Sequence, residues 1–154
     1  MAWHDVSGGH WTRRALIIAL GVAAAVAALA YLRDPPWLLG YSSGFTAWEV
    51  AEDGARVRWA GAHASFFVPS DARDVRLRLR TAFDSPDDWP VTVSVTLDDV
   101  PVDRLVLSDG AWRESTIRLP PRGSRRVRRV DIRSDRTRPD HRALQLAGGH
   151  SSLD

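Results

Sequence analysis

The sequence predicts an all-β body, a jelly-roll-like antiparallel β-sandwich, preceded by one N-terminal transmembrane α-helix. Three observations carry this expectation. Ala15 to Leu32 is eighteen residues without a charge, roughly 27 Å as a helix and so close to the thickness of a bilayer's hydrocarbon core. From Phe45 onward the apolar residues recur with a period of two, in short runs broken by turn signals about every eight to twelve residues. No stretch of the body has helical periodicity. That combination argues two packed sheets, with an up-and-down barrel as the alternative.

The chain is therefore divided into an N-terminal cytoplasmic head (1–14), a transmembrane helix (15–32), a membrane-proximal linker (33–43), the β-sandwich (44–148) and a C-terminal tail (149–154). The head is polar and contains His4 and His10, too few ligands for a metal site. Arg13 and Arg14 precede the span, whereas only Arg33, followed at once by Asp34, comes after it. This short-range bias places the N-terminus in the cytoplasm and the body outside it, on the periplasmic or extracytoplasmic face. Trp11, Tyr31 and Trp37 stand where amphipathic rings settle at headgroup level. A cleaved signal peptide matches the same layout, with Ala28 and Ala30 as its small residues; the uncleaved anchor is favoured because Tyr31 and Leu32 extend the apolar run past that cut. Eight of the eighteen residues are Ala. Gly21 with Ala25, and Ala24 with Ala28, form a small-residue face on which another membrane helix can pack closely.

Asp34, Pro35 and Pro36 end the helix. The runs Phe45 to Val50 and Ala55 to Trp59 flank Asp53-Gly54, a hairpin signal. His63 to Val68 is a third strand, and Val75, Leu77 and Leu79 alternate with Arg76, Arg78 and Arg80 in a fourth. Val91, Val93, Val95 and Leu97 alternate with small polar residues in a fifth. Strands over Val102 to Leu107, Ala111 to Leu119, Val127 to Ser134 and Ala143 to Leu146 complete the set. Val127 and Val130 have opposite parity, which predicts a β-bulge between them. Trp48, Trp59 and Trp112 are expected in the core.

With 154 residues and no cysteine, the body must be held by its own core rather than by disulfides. The net charge of +2 conceals an asymmetry: seven Asp against Arg104 between Asp84 and Asp109, and ten Arg against three Asp between Arg118 and Arg142. Arg125, Arg126, Arg128 and Arg129 are candidates for docking on an acidic protein or lipid surface, where the guanidinium fork is useful; nucleic acid is not expected for an exported domain. Trp89, between Asp88 and Pro90, is a candidate stacking platform for a sugar or an anchor at an interface. The acidic loops at Asp84, Asp87 and Asp88 and at Asp98, Asp99 and Asp103 have calcium-type ligands, which turn chemistry also explains. Gly40, Ser42 and Gly44 satisfy G-x-S-x-G, but no strand-to-helix turn surrounds them, so a linker is expected instead. Only three glutamates occur, no carboxylate dyad stands out, and His63 and His141 are isolated.

Gly44-Phe45 with Glu49, Arg58-Trp59, Phe67 to Pro69, Trp112, Leu119-Pro120 and Arg129 to Ile132 resemble a bacterial extracytoplasmic β-sandwich domain found beside membrane segments, sometimes attached to integral-membrane glycosyltransferases. The resemblance covers about Trp37 to Gly148 and implies an exported sandwich with no catalytic residue set. The expected role is thus a non-catalytic single-pass accessory subunit of a larger membrane complex, respiratory, photosynthetic or envelope-synthesising. Its expected partners are integral-membrane subunits and the bilayer, with no cofactor. The alternative is a membrane-tethered carbohydrate-binding module with a glycan as partner.

Overall fold

The computed structural model describes residues 8–51, 54–121 and 125–148, with side chains from Trp11 onward. His4, Asp53 and the tail 149–154 lie outside the described residues. The chain forms two units, Met1–Pro36 and Trp37–Asp154. The first is helix α1 (Gly8–Arg33), which begins ahead of the apolar run, so Trp11, Arg13 and Arg14 lie on the helix itself. Leu16, Ile17, Ile18 and Leu20 are all at least 60% exposed; neighbouring positions point in different directions, so the helix is apolar on every side. Such a helix suits lipid, and α1 is long and apolar enough to cross a membrane.

The second unit is an antiparallel β-sandwich of jelly-roll type. Its strands are β1 (Ser42–Phe45), β2 (Glu49–Val50), β3 (Arg56–Pro69), β4 (Asp74–Thr81), β5 (Val91–Leu97), β6 (Val100–Leu107), β7 (Arg113–Arg118), β8 (Val127–Ser134) and β9 (Leu144–Ala147). Strand β3 belongs to both layers. Its first half, Val57–Ala60, pairs with β9, and its second half, His63–Pro69, pairs with β8. One layer runs β6-β5-β8-β3 with β1 on the far edge of β3; the other runs β3-β9-β4-β7, with β2 beside β3. Strands distant in sequence are neighbours in both layers, which excludes an up-and-down barrel.

The alternating runs supply the core between the layers. Val91, Val93, Val95 and Leu97 of β5 are each 1% exposed or less, and Leu77 and Leu79 of β4 meet Leu144 and Leu146 of β9 in the same cluster. Each such side chain contributes about 1.5–3 kcal/mol on burial. The intervening Arg76 and Arg78 are exposed, as the alternation requires.

Several local expectations are corrected. The runs Ala55 to Trp59 and His63 to Val68 are one strand, because Gly61 carries β3 from one layer to the other without a turn. Conversely, Phe45 to Val50 divides into β1 and β2, and β1 starts at Ser42, inside the stretch read as a linker. No bulge interrupts β8 opposite β3, where Val127 to Val130 pair in step with Pro69 to Phe66. The register shifts fall instead at Ser43/Phe45 and at Val95/Thr96. A short 3-10 turn, Pro86–Asp88, is capped by the Ser85 hydroxyl.

None of Trp48, Trp59 and Trp112 is a core residue. Trp48 is 43% exposed, and the other two are half-buried. Arginines cover their rings: Arg56 and Arg58 lie over Trp48, Arg142 over Trp59, and Arg78 and Arg80 over Trp112. Cation–π contact holds a large ring at the surface when a guanidinium sits beside it in sequence or register.

Candidate functional site: an arginine-lined groove and a tryptophan cleft

The arginines of the body fall into two groups that sequence alone does not separate. In the first, Arg128 and Arg129 of strand β8 are neutralised, whereas Arg133 of the same strand is exposed and forms no ion pair among the described residues. Asp98 and Asp99 occupy left-handed backbone conformations, φ 50° and 68°, in the tight turn between β5 and β6. The turn aims Asp98 at Arg128, 2.9 Å away, and Asp99 at Arg129. Arg129 Nε also donates to Asp131, 2.8 Å away and only 2% exposed, and Asp131 in turn meets His63 Nε2 at 2.9 Å. The hydrogen bond to Asp131, reinforced by the charges of Asp131 and Asp99, raises the pKa of Arg129 above its usual value. The predicted docking residues Arg128 and Arg129 are thus ion-paired within the sandwich. Arg125 and Arg126 lie just ahead of β8 on the exposed surface.

Two further aspartates of the acidic loops also have partners within the fold. Asp103 accepts from Ser115, and Asp84 pairs with Arg138. Among the described residues there is no cluster of three or more potential ligands for a metal ion.

The second group of arginines lines an open groove of about 1370 Å³ at one end of the sandwich. Its floor is apolar: Phe66 and Val68 of β3, Val75 and Leu77 of β4, and Leu146 of β9. Around it stand Arg56, Arg58, Arg73, Arg76 and Arg78, with Asp71 and Asp74 as the acidic residues. None of these five arginines forms an ion pair among the described residues.

Arg58 is the most unusual of them. Its register partner Leu146 on β9 is a core residue, as is Leu79 of β4, which pairs with Leu146 from the other side, so Arg58 shares their inward face. Its guanidinium lies 3.6 Å from the Phe45 ring centroid and 4.6 Å from that of Trp48, and it donates to Ser42 Oγ at 3.2 Å. Its Nε is buried and has no hydrogen-bond partner, and burial lowers its pKa. A cation drawn this far out of water without a counter-charge is a costly arrangement. Sequence alone does not mark it, because its core neighbours lie across the sheet on β9 and β4.

The formal G-x-S-x-G segment ends here. Ser42 and Ser43 lie on β1, with Ser43 bonded to Ser65 at 2.8 Å and Ser42 to Arg58. No helix follows, so the segment is not a nucleophile elbow.

Trp89 lies in a separate cleft of about 260 Å³ with Trp59, Arg80, Phe83, Asp84 and Arg138. Its ring packs on the core, and its indole donates to the Phe83 carbonyl at 3.3 Å. Arg138 is fixed by the Ala82 carbonyl at 2.7 Å and Asp84 at 3.2 Å. Trp59 and Arg80 reach the cleft because both pair with Gln145 across the sheet. That partnership depends on β9, distant in sequence from both. On α1, nothing lies within 4 Å of a Cβ built at Gly21, so the small-residue face is open there.

No protein-family model matches the chain, and no curated protein matches it. Among solved structures, a family two carbohydrate esterase from Cellvibrio japonicus is 15% identical with a TM-score of 0.42, over 70% of this chain and 32% of that one. The carbohydrate-binding module CBM36 in complex with calcium and xylotriose is 11% identical with a TM-score of 0.39, over 70% and 83%. Dimeric latent PorU from Porphyromonas gingivalis is 11% identical with a TM-score of 0.44, over 69% and 10%. The chain spans about a third of the length of the esterase.

Proposed function

We propose that this protein is a non-catalytic accessory subunit. Helix α1 anchors it in a membrane as a single pass, and the extracytoplasmic β-sandwich docks onto a larger membrane protein complex, respiratory, photosynthetic or envelope-synthesising. The observation that carries this reading is the groove: five arginines without ion pairs among the described residues around an apolar floor, on a body whose Arg128 and Arg129 are internally neutralised. An unneutralised basic patch repels itself in the free protein and is compensated by an acidic partner surface, which it also steers toward itself. The cytoplasmic N-terminus follows from Arg13 and Arg14, and the open small-residue face at Gly21, Ala24, Ala25 and Ala28 suits helix packing within lipid. The resemblance to extracytoplasmic domains attached to integral-membrane glycosyltransferases fits the same arrangement.

The test is purification of the tagged full-length protein in a mild detergent, with mass spectrometry of what accompanies it. Stoichiometric integral-membrane partners are expected, and Gly21→Ile is expected to reduce their recovery severalfold by filling the small-residue face. A protein that always returns alone would count decisively against the reading.

A second reading, a membrane-tethered carbohydrate-binding module, is favoured by the cleft that combines Trp59 and Trp89 with Arg80, Asp84 and Arg138. Aromatic faces flanked by polar groups are suited to a sugar ring. If it holds, Trp89→Ala removes binding on a glycan array; an array silent for the native protein would dismiss it.

A further inference from the structure

The groove is also a gap in the sheet. Strand β4 pairs with β7 from Asp74 to Leu79 on one side, but on the other side it pairs with β9 only at Leu79 to Thr81. Beyond that point β9 stays with β3, and Gly148, immediately after β9, donates to the Arg56 carbonyl at 2.7 Å. Among the described residues no strand therefore pairs with the second edge of β4 at residues 74–78, and this edge forms one wall of the groove. An open strand edge carries backbone donors and acceptors that template a further strand.

We propose that this edge receives an extended segment of the docking partner, added as a strand, in which acidic residues alternate with apolar ones; this rests on the accessory-subunit reading. The alternation of β4 dictates that chemistry. Residues of an added strand opposite Val75 and Leu77 point inward, over the apolar floor with Phe66 and Val68. Those opposite Arg76 and Arg78 point outward beside two exposed guanidinium groups that form no ion pair among the described residues, although Arg78 is the register partner of Glu114 on β7 and lies over the Trp112 ring. Opposite charges directly across a strand pair are favourable and like charges are not. The two arginines are two residues apart, about 6.4–6.8 Å along the strand, which is the spacing of alternate side chains in the incoming segment. A single lipid headgroup matches neither the spacing nor the free backbone edge. Main-chain hydrogen bonds supply affinity in such strand addition and the alternate side chains supply specificity.

The experiment uses full-length protein in neutral-lipid nanodiscs and two labelled probes, an extended peptide alternating Glu with Leu and its Lys-for-Glu counterpart. Fluorescence anisotropy is expected to show binding of the Glu peptide, weakened roughly tenfold in Arg76→Glu/Arg78→Glu, with the Lys peptide gaining in that variant. Hydrogen exchange is expected to slow at Asp74 to Arg78 when the Glu peptide is added. Equal binding of both peptides, no protection of that edge, protection already present without peptide, or displacement of the peptide by anionic vesicles or an acidic oligosaccharide would each overturn the proposal. Partners that co-purify unchanged with Arg76→Glu/Arg78→Glu would remove this inference while leaving the accessory-subunit reading intact; peptide binding with no co-purifying partner would do the reverse.

Discussion

Gly44→Ala is expected to destabilise the sandwich by roughly 3 kcal/mol and to lower its melting temperature by on the order of 10 °C. Two effects combine. Gly44 has φ +73°, a conformation that costs an L-residue energy. More seriously, an added Cβ would lie 2.1 Å from the His63 carbonyl oxygen and 2.8 Å from the Ala64 Cα. Both neighbours are backbone atoms of β3 next to its passage between layers, so neither can rotate aside. Relief requires β1 to part from β3. Gly40 is the informative control, because it belongs to the same G-x-S-x-G pattern yet has nothing within 4 Å of a Cβ and no positive φ. Gly40→Ala is expected to stay within about 0.5 kcal/mol of the native protein. Equal stability of the two variants in urea titrations would refute the steric account.

Asp131→Ala is expected to cost about 2–3 kcal/mol. The carboxylate is almost wholly buried on β8 and accepts from Arg129 Nε and His63 Nε2. Truncation removes both charge-assisted bonds and leaves a void between them. Arg129→Ala should be milder, since Asp131 keeps His63 and the arginine side chain is 41% exposed. Asp99→Ala, at a side chain 77% exposed, should be close to neutral. Chemical denaturation of the three variants checks the order; an Asp131→Ala variant no weaker than Asp99→Ala would show that the buried network contributes nothing.

The parts of this fold legible in the sequence are those fixed by local alternation. Val91 to Leu97 and Val75 to Leu79 face inward and outward as their period of two dictates, and the apolar helix announces itself by composition. What escaped is what depends on partners far along the chain. Gly61 reads as a break between two strands, yet it lies within one strand because β8 and β9 hold its two halves. The tryptophans read as core because aromatic residues in alternating runs usually are; their arginine covers come from other residues in register. The asymmetry of charge was visible, but which of its arginines are ion-paired was not. Asp98 and Asp99 neutralise Arg128 and Arg129 from about thirty positions away, whereas the arginines of β3 and β4, scattered among apolar residues, form no ion pair among the described residues. Trp89 was legible as a loop aromatic; its neighbours Trp59, Arg80 and Arg138 in the cleft were not.

Strand β3, shared by both layers, also sets when the body can fold. Its partners include Ile132 opposite Ala64 and Ala147 opposite Val57, so each half waits for chain made much later. Pairings of such high contact order are slow to form and leave strand edges exposed in the interval. A nascent chain halted before Leu144 therefore has no β9 to complete the second layer, and the body must acquire its structure after nearly all of it has been synthesised rather than strand by strand.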